Sequence, residues 1–129
     1  MELDYRNNSI EVKKFNKEEL KNLIESLIPK NIKVFLIDEN DEVRTKSDLL
    51  NAISKACNFP GYFGFNWDAL RDCINDFSFN EGSGYLFIFN NSDTLKQNLG
   101  NDFNTFCDIY DEACERWKDE GVFFKVFLL

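Results

Sequence analysis

Apolar residues recur along this chain with two different periods, and the alternation of those periods lays out a fold. Ile32 to Ile37 (IKVFLI), Tyr85 to Phe89 (YLFIF) and Val122 to Leu129 (VFFKVFLL) are nearly continuous apolar runs of strand length, as expected of strands buried on both faces. Elsewhere the apolar positions fall at helical spacing. Leu20, Leu23, Ile24, Leu27 and Ile28 line a helix that starts at Asn16, with Glu19 as its capping-box partner, and that Pro29 ends. Leu49, Leu50, Ile53, Ala56 and Cys57 line a second helix, capped by Ser47 and stopped by Pro60-Gly61. Trp67, Leu70, Cys73, Ile74 and Phe77 line a third, N-capped by Asn66. Ser92-Asp93 caps a short helix over Thr94 to Leu99. The longest helix runs from Asp102 to Glu120, with Phe103, Phe106, Cys107, Tyr110, Ala113, Cys114 and Trp117 inward and Gly121 as its C-terminal cap. Asp38–Asp41 and Glu81–Gly84 read as turns. Near the start, Ile10 and Val12, with Phe15, predict a short strand whose neighbours Lys13 and Lys14 suit a sheet edge.

Strands alternating with helices predict an α/β fold with a small parallel sheet. The connection from Phe89 to Val122 contains a full helix, long enough for a parallel crossover, which should be right-handed. At 129 residues a single domain over 1–129 is expected, with 1–30 as an N-terminal extension whose helix packs on a core of 31–129.

Composition narrows the function. Hydrophobic residues make up 43% of the chain and 14 residues are Phe, so burial rather than cross-linking can hold the fold together. No apolar run approaches the ~18 residues of a membrane span, so no membrane association is expected. The start, MELDYRNNSIEVKK, has no apolar signal region, so the expected location is cytoplasmic. Cys57, Cys73, Cys107 and Cys114 form no C-x-x-C pair, and each lies on an apolar helical stripe. They read as buried small hydrophobes rather than zinc ligands or disulfides. There is no histidine, which removes the commonest general base and the commonest transition-metal ligand. An enzyme is therefore not expected, and no cofactor is.

Charge singles out one half of the chain. The net charge is −8. Residues 1–59 carry 10 Lys+Arg against 11 Asp+Glu, and residues 60–129 carry 5 against 12. A concentrated negative field repels nucleic acid and attracts basic surfaces.

The acidic half holds the stretch PGYFGFNWDALRDCINDF, residues 60–77, a turn followed by a helix with two unlike faces. Opposite the apolar stripe lie Asp68, Asp72 and Asp76, at i, i+4 and i+8. Like charges at that spacing cost ~0.2–0.5 kcal/mol per pair on an exposed helix. Asp68 gains from the helix dipole in the first turn, and Arg71, at i+3 from it, softens the repulsion. Tyr62, Phe63 and Phe65 crowd the turn; at least one should be core, and the others offer a contact surface beside the acids. Gly64 is expected to supply a backbone conformation that other residues resist. A catalytic carboxylate pair at Asp68 and Asp72 is disfavoured, because adjacent turns of one helix flank a scissile bond poorly. A Mg²⁺ or Ca²⁺ site at Asp68, Asp72 and Asp76 lacks any calcium-loop pattern. Asp108, Asp111, Glu112 and Glu115 read as the solvated face of the last helix, with Arg116 as the i+4 partner of Glu112.

Tyr62, Gly64, Asn66, Asp68, Ala69, Leu70 and Asp72 stand as Y-x-G-x-N-x-D-A-L-x-D. This resembles the signature of the barstar family, small intracellular inhibitors of ribonucleases. The likeness runs from about Asn31 to Leu129 and includes Ser47-Asp48-Leu49 and Asp119-Glu120-Gly121 with the apolar strand after them. The resemblance implies a three-stranded parallel sheet packed with helices. It also implies a basic ribonuclease or toxin nuclease domain as partner, held by Tyr62, Gly64, Asn66, Asp68 and Asp72. The protein would then be an immunity or antitoxin-type inhibitor. Three positions depart from the family's pattern. Arg71 stands where barstar has a tryptophan between the two aspartates. Phe65 replaces the glutamate usual in the turn, and Arg116 takes the place of a glutamate near the end of the last helix. Phe65, Arg71 and Arg116 therefore join the candidate partner-binding residues, and Asp76 joins them as the last acid of the row. Arg71 and Arg116 are expected to demand carboxylates from the partner. The alternative reading is an acidic protein-binding module whose partner is not a ribonuclease.

Overall fold

The computed structural model describes residues 3–129. A parallel sheet of four strands, in the order β1-β4-β3-β2, lies at its centre. The strands are β1 (Ile10–Val12), β2 (Ile32–Ile37), β3 (Gly84–Phe89) and β4 (Phe123–Leu128). The helices are α1 (Lys17–Leu27), α2 (Lys46–Cys57), α3 (Trp67–Ile74), α4 (Ser92–Leu99) and α5 (Asn101–Asp119). The sheet thus has four strands rather than the expected three. The N-terminal segment adds the fourth by pairing Ile10, Glu11 and Val12 with Val126, Phe127 and Leu128.

The topology explains why the sheet is covered on both faces. The chain crosses from β1 to the opposite edge at β2, then steps back through β3 to β4. With every parallel crossover of the same hand, a reversal of direction puts the connecting helices on opposite faces. Accordingly Leu23 and Leu27 of α1 pack with Leu86, Ile88, Phe123 and Phe127 on one face. The other four helices bury Phe35, Phe87, Phe89, Phe124 and Val126 on the other. β3 and β4 are buried along their whole length. β2 is the far edge and only half-buried at Lys33, Val34 and Leu36, although its sequence reads as a strand covered on both sides. Apolar content reports burial of the faces, not whether a strand has a neighbour along each edge.

Local signals set most element ends. Asn16 Oδ1 accepts from Glu19 N at 2.8 Å and Glu19 Oε1 accepts from Asn16 N at 3.0 Å, a complete capping box for α1. The cap of α2 is Thr45, not Ser47: Asp48 Oδ2 reaches back to Thr45 N and Thr45 Oγ1 accepts from Asp48 N. That reciprocal pair satisfies two first-turn amides. α4 starts at Ser92 after Asn91 in a left-handed conformation, without a side-chain cap. Gly121, at φ +71°, turns the chain out of α5. All four cysteines are free, and burial pushes the Cys114 thiol up to about 12 and that of Cys107 up to about 11. No helix among the described residues is long and apolar enough to cross a membrane.

Candidate functional site

α3 turns its charged side outward because its other side is needed inside. Leu70, Cys73 and Ile74 are buried, and Trp67 packs half-buried against the same core. Asn66 caps the helix, with Oδ1 accepting from Ala69 N at 2.8 Å. Two contacts finish the other end: Asn75 Nδ2 donates to Arg71 O at 2.7 Å, and Trp117 Nε1 of α5 donates to Ile74 O at 2.8 Å. The helix stops there, so Phe77 and Asp76 lie beyond it. Phe77 still enters the core, stacked on Tyr85 with ring centroids 4.1 Å apart. Asp76 does not extend the acid row; its Oδ1 accepts from Ser78 N at 3.1 Å in the following turn.

The acids left on α3 are Asp68 and Asp72. The Asp68 side chain is 93% exposed, and Asp72 is exposed too. Arg71 lies between them and is internally committed. Its Nη1 meets Asp68 Oδ1 at 3.1 Å, and its Nε donates to Glu112 Oε2 of α5 at 3.0 Å. In the free chain the carboxylates beside Arg71 are the chain's own. Glu112 therefore pairs with Arg71 and not with Arg116. Arg116 lies 3.8 Å from Glu120 and stacks over Trp117 at 4.9 Å. Arg116 is thus at the end of the face where Trp117 closes α3, with its own counter-charge.

On α5, Asp111 lies beside Asp108 and Glu115. Partial burial, then those two neighbouring carboxylates, raise its pKa above the usual aspartate value. Glu112 is a neighbour of Arg71 that the sequence does not reveal. No local spacing links it to Arg71, 41 positions away.

The turn before α3 is built from aromatics. Phe63 is buried, whereas Tyr62 and Phe65 are 78% and 53% exposed. The special backbone conformation falls on Phe65, at φ +52°, and not on Gly64, which stays outside the left-handed region. Holding a bulky residue there costs about 1–3 kcal/mol. Gly64 has another reason to lack a side chain: a Cβ would sit 3.2 Å from Asn66 Nδ2 and 3.7 Å from Ala69 Cβ. The glycine lets the turn lie close against the first turn of α3.

Tyr62, Gly64, Phe65, Asn66, Asp68, Arg71 and Asp72 thus form one contiguous turn and helix, with Glu112 joined to it from α5. The pattern of the family described as Barstar (barnase inhibitor) matches residues 32–129. The chain belongs to the barstar family. No match was found among curated proteins. The matched span begins at β2 and leaves β1 and α1 outside it.

Proposed function

We propose that this barstar-family chain inhibits a basic ribonuclease or toxin nuclease domain by setting α3 and the turn before it into the enzyme's phosphate-binding cleft. The observation that carries the reading is the solvent-facing pair Asp68 and Asp72 on a helix whose other side is firmly buried. A carboxylate presents the same kind of anionic oxygens that an RNA phosphate does. Arg and Lys side chains arranged for phosphate hold it well, bidentately in the case of Arg. The buried side of α3, its Asn66 cap and the Trp117 contact fix where those carboxylates point, so little ordering remains to be done on binding.

Electrostatics support the same partner. Residues 60–129 carry 12 Asp+Glu against 5 Lys+Arg. Such a field speeds encounter with a basic cleft and discourages binding of nucleic acid itself. Arg71 and Arg116 each have a carboxylate of the chain beside them, Glu112 at 3.0 Å and Glu120 at 3.8 Å, which lessens the like-charge cost of bringing them to a cation-lined cleft. In this reading the protein is an immunity or antitoxin-type inhibitor that acts in the cytoplasm and has no catalytic step of its own.

The test is direct. Purified protein is titrated into RNA-cleavage assays with a broad panel of basic bacterial ribonucleases and toxin nuclease domains, and an affinity pull-down is run from the native host. Stoichiometric inhibition of one of them is the expected result. No inhibition and no binding across the panel, with a non-nuclease as the main catch, would instead favour an acidic binding module for another kind of partner.

A further inference from the structure

Phe65 breaks two rules at once. It is a large apolar residue left half in solvent, and it holds a left-handed backbone conformation that glycine or asparagine would adopt more readily. Its ring is nevertheless not loose. It packs edge-on against Phe63 with centroids 4.8 Å apart, and Phe63 packs on Phe59 at 4.8 Å. Phe59 continues to Phe79 at 5.6 Å, and Phe79 to the core ring Phe77 at 5.5 Å. Phe65 is therefore the solvent end of a column of five aromatic rings rooted in the hydrophobic core. Tyr62, more exposed still, stands in the same turn.

A strained backbone that points a rigid ring into water is held at a cost to the free protein, and such conflicts mark contact sites. We propose that Phe65 is a pre-organised apolar anchor, and that the nuclease bound by this chain has an apolar socket directly beside its phosphate-binding basic residues. This rests on the inhibitor reading above and adds to it what decides between one nuclease and another. The carboxylates of Asp68 and Asp72 would serve with any phosphate-binding cleft. A ring one residue before the Asn66 cap fits only where the wall of that cleft is apolar. A cleft with a charged wall there would be refused, because its charge would be buried against the ring without a partner. Chemistry divides the labour: the acids govern encounter, and the ring governs residence.

The experiment uses the full chain and whichever panel ribonuclease the wild type inhibits. Phe65→Gly and Phe65→Asn both relieve the backbone conformation without adding charge. Each should melt at the same temperature as wild type or higher. Each should dissociate from the nuclease at least tenfold faster, with an association rate within twofold of wild type. Rates are compared at a temperature where circular dichroism shows every variant folded. If dissociation is unchanged in both while Asp72→Ala abolishes inhibition, the anchor is overturned and the inhibitor reading stands. If both variants lose thermal stability and keep the wild-type dissociation rate, Phe65 only covers Phe63 and the anchor is again overturned. If no panel member is inhibited by the wild type, the inhibitor reading fails and the anchor fails with it.

Discussion

Arg71 and Glu112, 41 positions apart, meet at 3.0 Å between Nε and Oε2, and the same guanidinium holds Asp68 at 3.1 Å. One cation thus ties α3 to α5 and spaces two carboxylates along the acidic face. The Arg71 side chain is 40% exposed and Asp68 almost wholly so, so the stabilisation is small. Exposed pairs contribute about 0–1 kcal/mol each. Arg71→Ala, which removes both pairs, should therefore lower stability by about 0–2 kcal/mol in urea unfolding. It also releases Asp68 and Glu112 and makes the net charge one unit more negative. Association with the target ribonuclease should become several-fold faster at low ionic strength, and the gain should fade as salt is added. A slower association would mean that Arg71 itself touches a carboxylate of the enzyme.

Asp72 offers the complementary case. Among the described residues it forms no ion pair, and it lies four residues from Asp68. Removing one of two like charges at that spacing should stabilise the helix slightly, by about 0.2–0.5 kcal/mol. Asp72→Ala should accordingly melt no lower than wild type yet weaken inhibition at least tenfold. A residue that harms stability by its presence and helps binding is serving the contact. Equal inhibition by wild type and variant would remove Asp72 from the proposed face.

How far these features could be read from sequence depends on the range of the interactions behind them. Asn66, the buried stripe of α3, and the strands β3 and β4 follow from local spacing, and the structure has them as expected. Phe77 was placed on the stripe correctly as core but wrongly as helix, because Asn75 ends the helix before it. By residue type Ser47 is as good a cap as Thr45; only the reach of Asp48 back to Thr45 decides. The Arg71–Glu112 contact and the place of β2 at the sheet edge come from tertiary packing and have no local signal. The sequence points to Gly64 for the conformation that Phe65 adopts, because glycine takes it without strain. In that turn the strain falls on the contact residue instead.

Crowding on α5 gives a pH dependence with a definite sign. The pKa of Asp111 is raised above its ordinary value of 3.8, by partial burial first and then by Asp108 and Glu115. A carboxyl whose folded pKa is raised binds its proton more tightly in the folded state. It therefore disfavours folding once ionised, and the penalty disappears as pH falls through the folded value toward 3.8. Asp111→Asn should raise the melting temperature at pH 7, and the difference should close on acidification toward pH 3.8. Added salt should shrink the part of the difference that comes from Asp108 and Glu115, because charge repulsion is screened and desolvation is not. A lower melting temperature for the variant at pH 7 would show that the carboxylate is favourably placed.

The strand outside the family match is held by a buried cation. Lys125 interrupts the apolar run of β4 and is only 4% exposed. Its Nζ reaches Glu11 Oε1 of β1 at 2.6 Å and Ser9 Oγ at 2.7 Å. Asn8 secures the same junction, accepting from Phe124 N at 2.9 Å and donating to Val122 O at 2.8 Å. β1 therefore does more than add three residue pairs to the sheet: it supplies the counter-charge without which Lys125 would be buried alone. Removing one partner of such a pair costs more than the pair contributes, because the other is left desolvated. Glu11→Gln, which keeps an acceptor oxygen but removes the counter-charge, should destabilise the protein by about 1–3 kcal/mol, the cost of leaving a buried polar group poorly compensated. Lys125→Met, which removes the buried charge itself and keeps the packing, should be much milder. The Lys125 hydrogen bond is the largest cause lowering the Glu11 pKa from 4.5. A depressed carboxyl contributes stability that is fully present above 4.5 and is lost as pH falls through the folded value. Amide exchange at Glu11 and at Lys13, whose N–H donates to Leu128 O at 3.0 Å, measured from pH 6 down to 3, should thus lose protection before the interior strand β3 does, after correction for the intrinsic rate. In Glu11→Gln that protection should already be low at pH 6. Loss of protection in β1 and β3 together would instead mean that the junction opens only when the whole sheet unfolds.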